Sequence, residues 1–248
     1  MSSKPYIWIY WDNYPGKSTP PYIELCWESI RLHCNRDFNV VMVNSANVRK
    51  YLPNIRDDFF DMVQINNKSN YLRYKLLCEY GGIWLDSDLI ILKSLFPLLN
   101  LLTDDIDLVA TASPEYKYGE PECGIIVSKP KGAVISRAIQ IFESKMDAKP
   151  KGHIFQWGTM GPAILRAAVV EQKYHHLDHR LIMPIGWQHA NKFDRIDVIE
   201  KYVTKKTLGV MLYHEMFRRA NSQIISMSRK ALMDSKWLVG RIFREALS

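Results

Sequence analysis

The segment Gly-Gly-Ile-Trp-Leu-Asp-Ser-Asp, residues 81–88, constrains this 248-residue chain more than any other stretch. Ile83, Trp84 and Leu85 form an apolar run too short for a helix and bounded by turn formers, which predicts a buried strand. Ahead of it, Leu72, Leu76, Leu77 and Tyr80 recur at helical spacing, with Ser69 or Asn70 placed to cap a helix and Gly81-Gly82 to supply its left-handed stop. Behind it stand two carboxylates one residue apart, Asp86 and Asp88, before residues 89–92 resume the apolar run. In a parallel α/β sheet, ligands gather beyond the carboxyl ends of the strands, where this pair is expected to lie.

The rest of the chain alternates strand and helix patterns, the signature of an α/β layer structure with a largely parallel sheet. Residues 6–10 (YIWIY) read as a short buried strand, and Ile23, Trp27, Ile30 and Cys34 mark a helix entered through Pro20 and Pro21. A strand at 38–43 and a weaker helix near 46–52 lead to residues 62–65. Downstream come a strand at 107–112, a polar loop, a strand at 125–128 and a helix with Ile135, Ile139, Phe142 and Met146 on one face. Gly161-Pro162 opens a helix over 163–170, residues 181–183 and 210–212 look like strands, and a helix carrying Trp237, Leu238 and Ile242 ends the pattern. The length suits one domain, 1–248, with a basic helical region from about residue 201.

Residues 1–10 lack the basic and long apolar segments of a secretory signal, and no apolar run reaches the ~18 residues of a spanning helix, so the expected location is the cytosol. Cys26, Cys34, Cys78 and Cys123 are scattered without C-x-x-C pairing, which favours reduced core thiols over a zinc site or disulfide framework. The charge is uneven. Ten basic residues against three acidic ones from Lys201 onward give a local excess equal to the whole formal charge of +7. A terminal helix with Trp237, Leu238, Ile242 and Phe243 among those charges predicts peripheral contact with an anionic membrane, its apolar residues in the lipid interface. The opposing reading packs the same residues back onto the domain.

Two hard oxygen ligands at a strand end suit Mg²⁺ or Mn²⁺ shared with a substrate's phosphates, although a bare pair of aspartates also makes an ordinary turn. His214, just after a strand-like run, offers a nitrogen ligand. His175, His176 and His179 have helical i, i+4 spacing but lack the glutamate of a metalloprotease motif, and are read as solvated loop.

Residues 69–88, SNYLRYKLLCEYGGIWLDSD, resemble the signature of family 32 glycosyltransferases and their capsular-polysaccharide-type and clostridial-toxin relatives, in which a helix SDxxRxxxLxxxGG precedes a strand ending in (Y/W)xDxD. Ile7-Trp8-Ile9, Trp27-Glu28-Ser29, Gly161-Pro162 and His214 resemble further family features in the expected order. The resemblance implies a GT-A-like, Rossmann-like nucleotide-sugar-binding fold with one mostly parallel twisted sheet flanked by helices. It further implies a retaining, Mn²⁺- or Mg²⁺-dependent transfer from a UDP- or GDP-sugar to a glycan or glycolipid of polysaccharide or lipopolysaccharide biosynthesis. With a membrane-bound acceptor, the basic C-terminal region places the expected cytoplasmic protein peripherally at the inner face of the membrane.

Carried over by position, Asp88 would ligate the metal with His214, and Asp86 would sit between the metal shell and the donor's ribose or sugar. Arg73 would face the donor sugar or its phosphate. Trp84 would line the pocket under the nucleotide and Trp8 would stack on the base, while both also fit plain core packing. Asn70 stands where the family has Asp, marking either a different donor sugar or a helix cap. The polar loop at 120–124 would lie beside the acceptor, with Glu122 near the reacting carbon. A rival class, a non-catalytic nucleic-acid-binding protein, is suggested by the sequence pI of 9.1, but the basic residues lie at one end without an RNA-binding signature or recognition helix. A degenerate transferase kept as a binding module is disfavoured, since both aspartates and Arg73 are present.

Overall fold

The computed structural model describes residues 4–112, 120–170 and 172–248. In chain order the first half contains β1 (Tyr6–Tyr10), α1 (Pro21–Cys34), β2 (Asn39–Val43), α2 (Ile65–Tyr80), β3 (Gly82–Leu85), β4 (Leu89–Ile91) and β5 (Leu108–Ala112). The second half contains β6 (Pro121–Ser128), α3 (Ala133–Asp147), α4 (Pro162–Ala168), β7 (His175–Leu177), β8 (Gly209–Met211), α5 (His214–Arg219), α6 (Arg229–Asp234) and α7 (Leu238–Ala246). The chain packs into two compact units. Unit 1 takes residues 1–12, 38–86 and 97–177; unit 2 takes 13–37, 87–96 and 178–248.

Unit 1 is built on a mixed six-stranded sheet in the order β2-β1-β3-β6-β5-β7. The β1–β2, β1–β3 and β5–β7 pairs are parallel, and β6 is antiparallel to both neighbours, so β6 alone opposes the common strand direction. β1, with parallel neighbours on both sides, and β3, between parallel β1 and antiparallel β6, are central strands buried on both faces, which explains their unbroken apolar runs instead of alternating ones. Gly81 and Gly82 are required where α2 turns into β3. Both have positive φ, and a Cβ on Gly82 would stand 2.3 Å from the Tyr6 carbonyl oxygen. The core cluster joins Leu72, Leu76 and Leu77 of α2 to Ile135, Ala138 and Phe142 of α3 and to Ile164 and Leu165 of α4.

Unit 2 holds a second, two-stranded sheet, β4 with β8, antiparallel, in addition to the one sheet expected. Ser29 on α1 accepts the Ile91 N–H at 2.9 Å, tying α1 to β4. Leu238, Ile242 and Phe243 of α7 are fully buried in this unit. The expected lipid insertion of these residues is therefore wrong: their apolar surface is already removed from water by the unit's own core, worth roughly 2 kcal/mol per side chain. Much of the basic excess is paired as well, Arg229 with Glu28, Lys230 with Asp234, and Arg218 and Arg219 with Glu215. No helix among the described residues is long and apolar enough to cross a membrane. All four cysteines are free of disulfides.

Other expectations need correction. The helix expected to start at Ser69 or Asn70 begins at Ile65, because Gln64 is clamped by reciprocal bonds to the backbone of Phe155 at 3.0 and 2.8 Å. Asn70 therefore lies inside α2 and is not its cap. The weak helix near 46–52 is a single 3-10 turn, Val48–Lys50. Residues 181–183 form no strand; a 3-10 turn, His179–Leu181, replaces it, nucleated by Asp178, whose carboxylate accepts the Arg180 N–H at 3.0 Å. His175 and His176 are not loop residues, since they belong to β7, where the edge of β5 takes up their backbone groups. Of the polar loop expected after β5, residues 113–119 lie outside the described residues.

Candidate active site

Asp86 is the last residue of its stretch of unit 1, and Ser87 opens the next stretch of unit 2, so the two aspartates are held by different frameworks. Within unit 1, the Asp86 N–H continues the ladder beyond β3 by donating to the Gly124 carbonyl at 2.9 Å. Its carboxylate Oδ1 accepts from Arg73 Nη2 at 2.6 Å and from Trp84 Nε1 at 2.9 Å. The Arg73 guanidinium also lies 5.2 Å from the Trp84 ring centroid, within cation–π range, and donates through Nη1 to Asn70 Oδ1 at 2.5 Å. Asn70 and Arg73 are three positions apart on α2, on one face.

Arg73 is 4% exposed, whereas its partner Asp86 is 31% exposed. Burial acts most strongly on Arg73 and opposes its charge, yet Asp86, with help from Cys123 and Tyr74, holds its pKa above the ordinary value. Arg73 Nε is buried with no hydrogen-bond partner among the described residues, an imperfection of about 1–3 kcal/mol that the Asp86 pair and the Trp84 face offset. The group is stiff, buried at its base and open at the carboxylate.

Gly161 closes the same cluster. Its carbonyl accepts the Tyr74 hydroxyl at 2.8 Å, and a Cβ at this position would stand 2.8 Å from Asn70 Oδ1. The Gly161-Pro162 pair thus combines a close approach to Asn70 with the start of α4.

The two tryptophans are core residues first. Trp8 and Trp84 face each other in the β1–β3 register and neither is exposed. Trp8 stacks on Tyr6, with centroids 4.5 Å apart, and donates to the Gly81 carbonyl at 3.0 Å, leaving no ring face for a nucleotide base. Its expected base-stacking role is corrected to core packing. Trp84 is likewise wholly buried and meets Asp86 through its indole N–H. Glu122 is not in a loop either: it lies within β6, between buried Pro121 and Cys123, because β6 begins at Pro121 to pair with Ala112.

Within unit 2, Asp88 precedes β4, and its backbone carbonyl accepts from the Leu212 N–H at 3.0 Å beyond the end of β8. Tyr213 then takes a left-handed conformation, φ 61°, which turns the chain so that the first residue of α5 meets Asp88. The His214 N–H donates to Asp88 Oδ2 at 2.6 Å, a charge-assisted bond between residues 126 apart in sequence. The His214 ring hydrogen-bonds through Nδ1 to the hydroxyl of Tyr22 on α1. Burial lowers the His214 pKa, so its imidazole is neutral at pH 7, the form that ligates metals. Burial first, and then the Asp88 charge, push the Tyr22 phenol above its ordinary value. Tyr22 carries no sequence signal, since an aromatic on the buried face of an amphipathic helix reads as core. No group of three or more His, Cys, Asp or Glu side chains gathers into a metal cage among the described residues.

Comparison with known proteins agrees with this architecture. The chain shares the fold of the glycosyltransferase GlyE of Streptococcus pneumoniae TIGR4, with 16% identity and a TM-score of 0.55 over 99% of this chain, which spans 64% of GlyE. It also shares the fold of the galactosyltransferase LgtC, solved with donor and acceptor sugar analogues: 14% identity, TM-score 0.53, 97% of this chain and 95% of LgtC. A glycosyltransferase involved in glycosylating the major capsid of PBCV-1 matches with a TM-score of 0.53 at 12% identity, over 90% of this chain and all of that one. No curated protein matches the sequence. Residues 1–124, half of the chain, match the family described as capsular polysaccharide synthesis protein, and the chain belongs to that family.

Proposed function

We propose that this protein is a glycosyltransferase that moves a sugar from a UDP- or GDP-sugar to a glycan or glycolipid acceptor in polysaccharide or lipopolysaccharide synthesis, with retention at the anomeric carbon. The observation that carries the reading is the junction of Asp88 with His214: the Asp88 carboxylate is held by the backbone N–H of His214, whose buried imidazole favours the neutral form, across 126 residues of sequence. One hard oxygen and one nitrogen donor fit Mn²⁺, or Mg²⁺ with more oxygen, and such ions take their remaining positions from phosphates and water. With no third such group gathered beside them among the described residues, the ion is expected to arrive with the nucleotide. When bound, it supplies charge neutralisation on the leaving diphosphate.

The chain's own residues do the positioning. Asp86, fixed by Arg73 and Trp84, is the rigid acceptor for donor hydroxyls. Arg73 is too buried to serve as a mobile phosphate clamp, so its part is to hold Asp86 in place. Tyr22 orients the His214 ring as an outer partner of a metal histidine. Asn70, held by Arg73, is the polar group whose lack of charge distinguishes this donor site from the family pattern. A thermal-shift screen of nucleotide sugars with and without Mn²⁺ tests the reading, since a ligand of the native state raises Tm by mass action. At least one UDP- or GDP-sugar is expected to raise Tm in a Mn²⁺-dependent way; no shift with any of them overturns it.

A further inference from the structure

Unit 2 contains an open pocket of about 440 Å³ that none of the donor chemistry uses. Its walls are Trp187, Gln188, Asn191 and Asp194 on one side and Phe217 and Arg219 of α5 on the other. Its volume lies in the range of roughly 300–1,000 Å³ typical of small-molecule sites. We infer that this pocket is a saccharide subsite, which binds a neutral sugar segment of the glycan acceptor against Trp187.

Trp187 is 52% exposed, unlike Trp8 and Trp84, which are wholly buried. An indole displayed in a concave site, ringed by planar amides and a carboxylate, matches a sugar ring: carbon-bound hydrogens on one face and hydroxyls around the edge. The charges select among ligands. Asp194 and Arg219 balance within the pocket, and Glu215 already holds Arg219 at 2.8 Å, so a phosphate or other anion gains no net field there. An apolar peptide anchor would strip water from Asp194 and Asn191 without replacing their hydrogen bonds, whereas hydroxyls replace them.

The site is also preformed. Phe193 and Phe217 meet edge to face beneath it at 5.8 Å. The backbone around Asp194 is fixed by bonds from Val239 to the Phe193 carbonyl at 3.1 Å and from Leu238 to the Arg195 carbonyl at 2.8 Å. Tyr213 donates to the Ile185 carbonyl at 2.9 Å, anchoring the turn that leads to Trp187. Walls ordered in advance spare the ligand that entropic cost. Moreover, α5 carries His214 at its first residue and Phe217 and Arg219 further along, so one short helix joins the pocket to the metal histidine. The saccharide assignment stands on the pocket alone; its description as acceptor rests on the transferase reading.

The test is binding of the full chain to an array of neutral hexose and N-acetylhexosamine oligosaccharides, two to six residues long, alongside Trp187→Ala, Trp187→Phe and Asp194→Ala. Wild type is expected to bind at least one glycan class. Trp187→Ala, in a half-exposed position that spares the fold, should weaken binding about tenfold, the scale of one lost aromatic partner, with Trp187→Phe recovering most of it. Absence of glycan binding by wild type, or undiminished binding in both alanine variants, overturns the inference. Calorimetry of UDP and GDP with Mn²⁺ on wild type separates the two readings. Nucleotide binding without glycan binding sinks only the pocket; glycan binding through Trp187 without nucleotide binding sinks only the transferase.

Discussion

Asp86 and Asp88 are separated by one residue and held by opposite means. Asp86 leans on side chains: a buried arginine and an indole of the unit 1 core. Asp88 leans on backbone, the N–H groups of His214 at its carboxylate and of Leu212 at its carbonyl, presented by the left-handed turn at Tyr213 in unit 2. The first arrangement couples the carboxylate to folding, because its partners cannot be changed without disturbing packing. The second leaves the side chain replaceable, because the backbone partner survives any substitution. Mutations on the Asp86 side should therefore appear first in stability, and those on the Asp88 side first in activity.

The largest expected effect is Trp8→Ala, which removes a fully buried indole opposite Trp84 together with its bond to Gly81. It should destabilise the folded protein by about 4 kcal/mol, measured by urea unfolding. A folded variant of wild-type stability that has lost nucleoside diphosphate affinity would show instead that Trp8 meets the base. Next is Arg73→Met, which strands Asp86 beside the core. Since Asp86 keeps partial access to water, the loss should be about 3 kcal/mol, the low end for breaking a buried pair. Adding Asp86→Asn should recover part of it, and strict additivity of the two changes would mean that the pair is not coupled.

On the other side, Asp88→Asn should leave Tm nearly unchanged while Mn²⁺-dependent transfer drops about 100-fold or more, as expected when a metal site loses its charged oxygen. Wild-type turnover at limiting Mn²⁺ would remove Asp88 from the metal site. If the same variant unfolds, the contrast between the two aspartates collapses.

The sequence makes one of these frameworks far more legible than the other. The helix, the glycine pair and the strand that carry Arg73, Trp84 and Asp86 are contiguous, so periodicity and turn chemistry place all of them within about 20 residues. Depth is what the pattern does not carry there: a tryptophan in a strand gives no sign whether its ring faces a ligand or the core, and Trp8 stacks on Tyr6 of its own strand. Likewise Gln64, not Ser69 or Asn70, starts α2, because a long-range clamp to Phe155 outweighs local capping preference. The Asp88 side depends on residues such as Tyr22 and His214, 192 positions apart, whose meeting no local pattern records. The strand at Glu122 is hidden for a related reason, since Pro-Glu-Cys-Gly reads as loop until β5 offers it an edge to pair with.

The smallest expected effect falls on Gly161, which touches neither aspartate yet bears on Asp86 through Asn70 and Arg73. A methyl group here would meet the Asn70 carboxamide, which has little room to move because its oxygen holds Arg73. Gly161→Ala should therefore cost about 1 kcal/mol of stability, the low end for overpacking. It should also raise the donor KM several-fold by pushing Asn70 off the guanidinium. A purely structural glycine would give the stability loss alone, so the double variant decides. If Gly161 acts through Asn70, then Asn70→Ala with Gly161→Ala should have the donor KM of Asn70→Ala by itself, since the truncated side chain no longer meets the methyl group. Independent, additive effects on KM would detach Gly161 from the donor site and leave it as the packed start of α4.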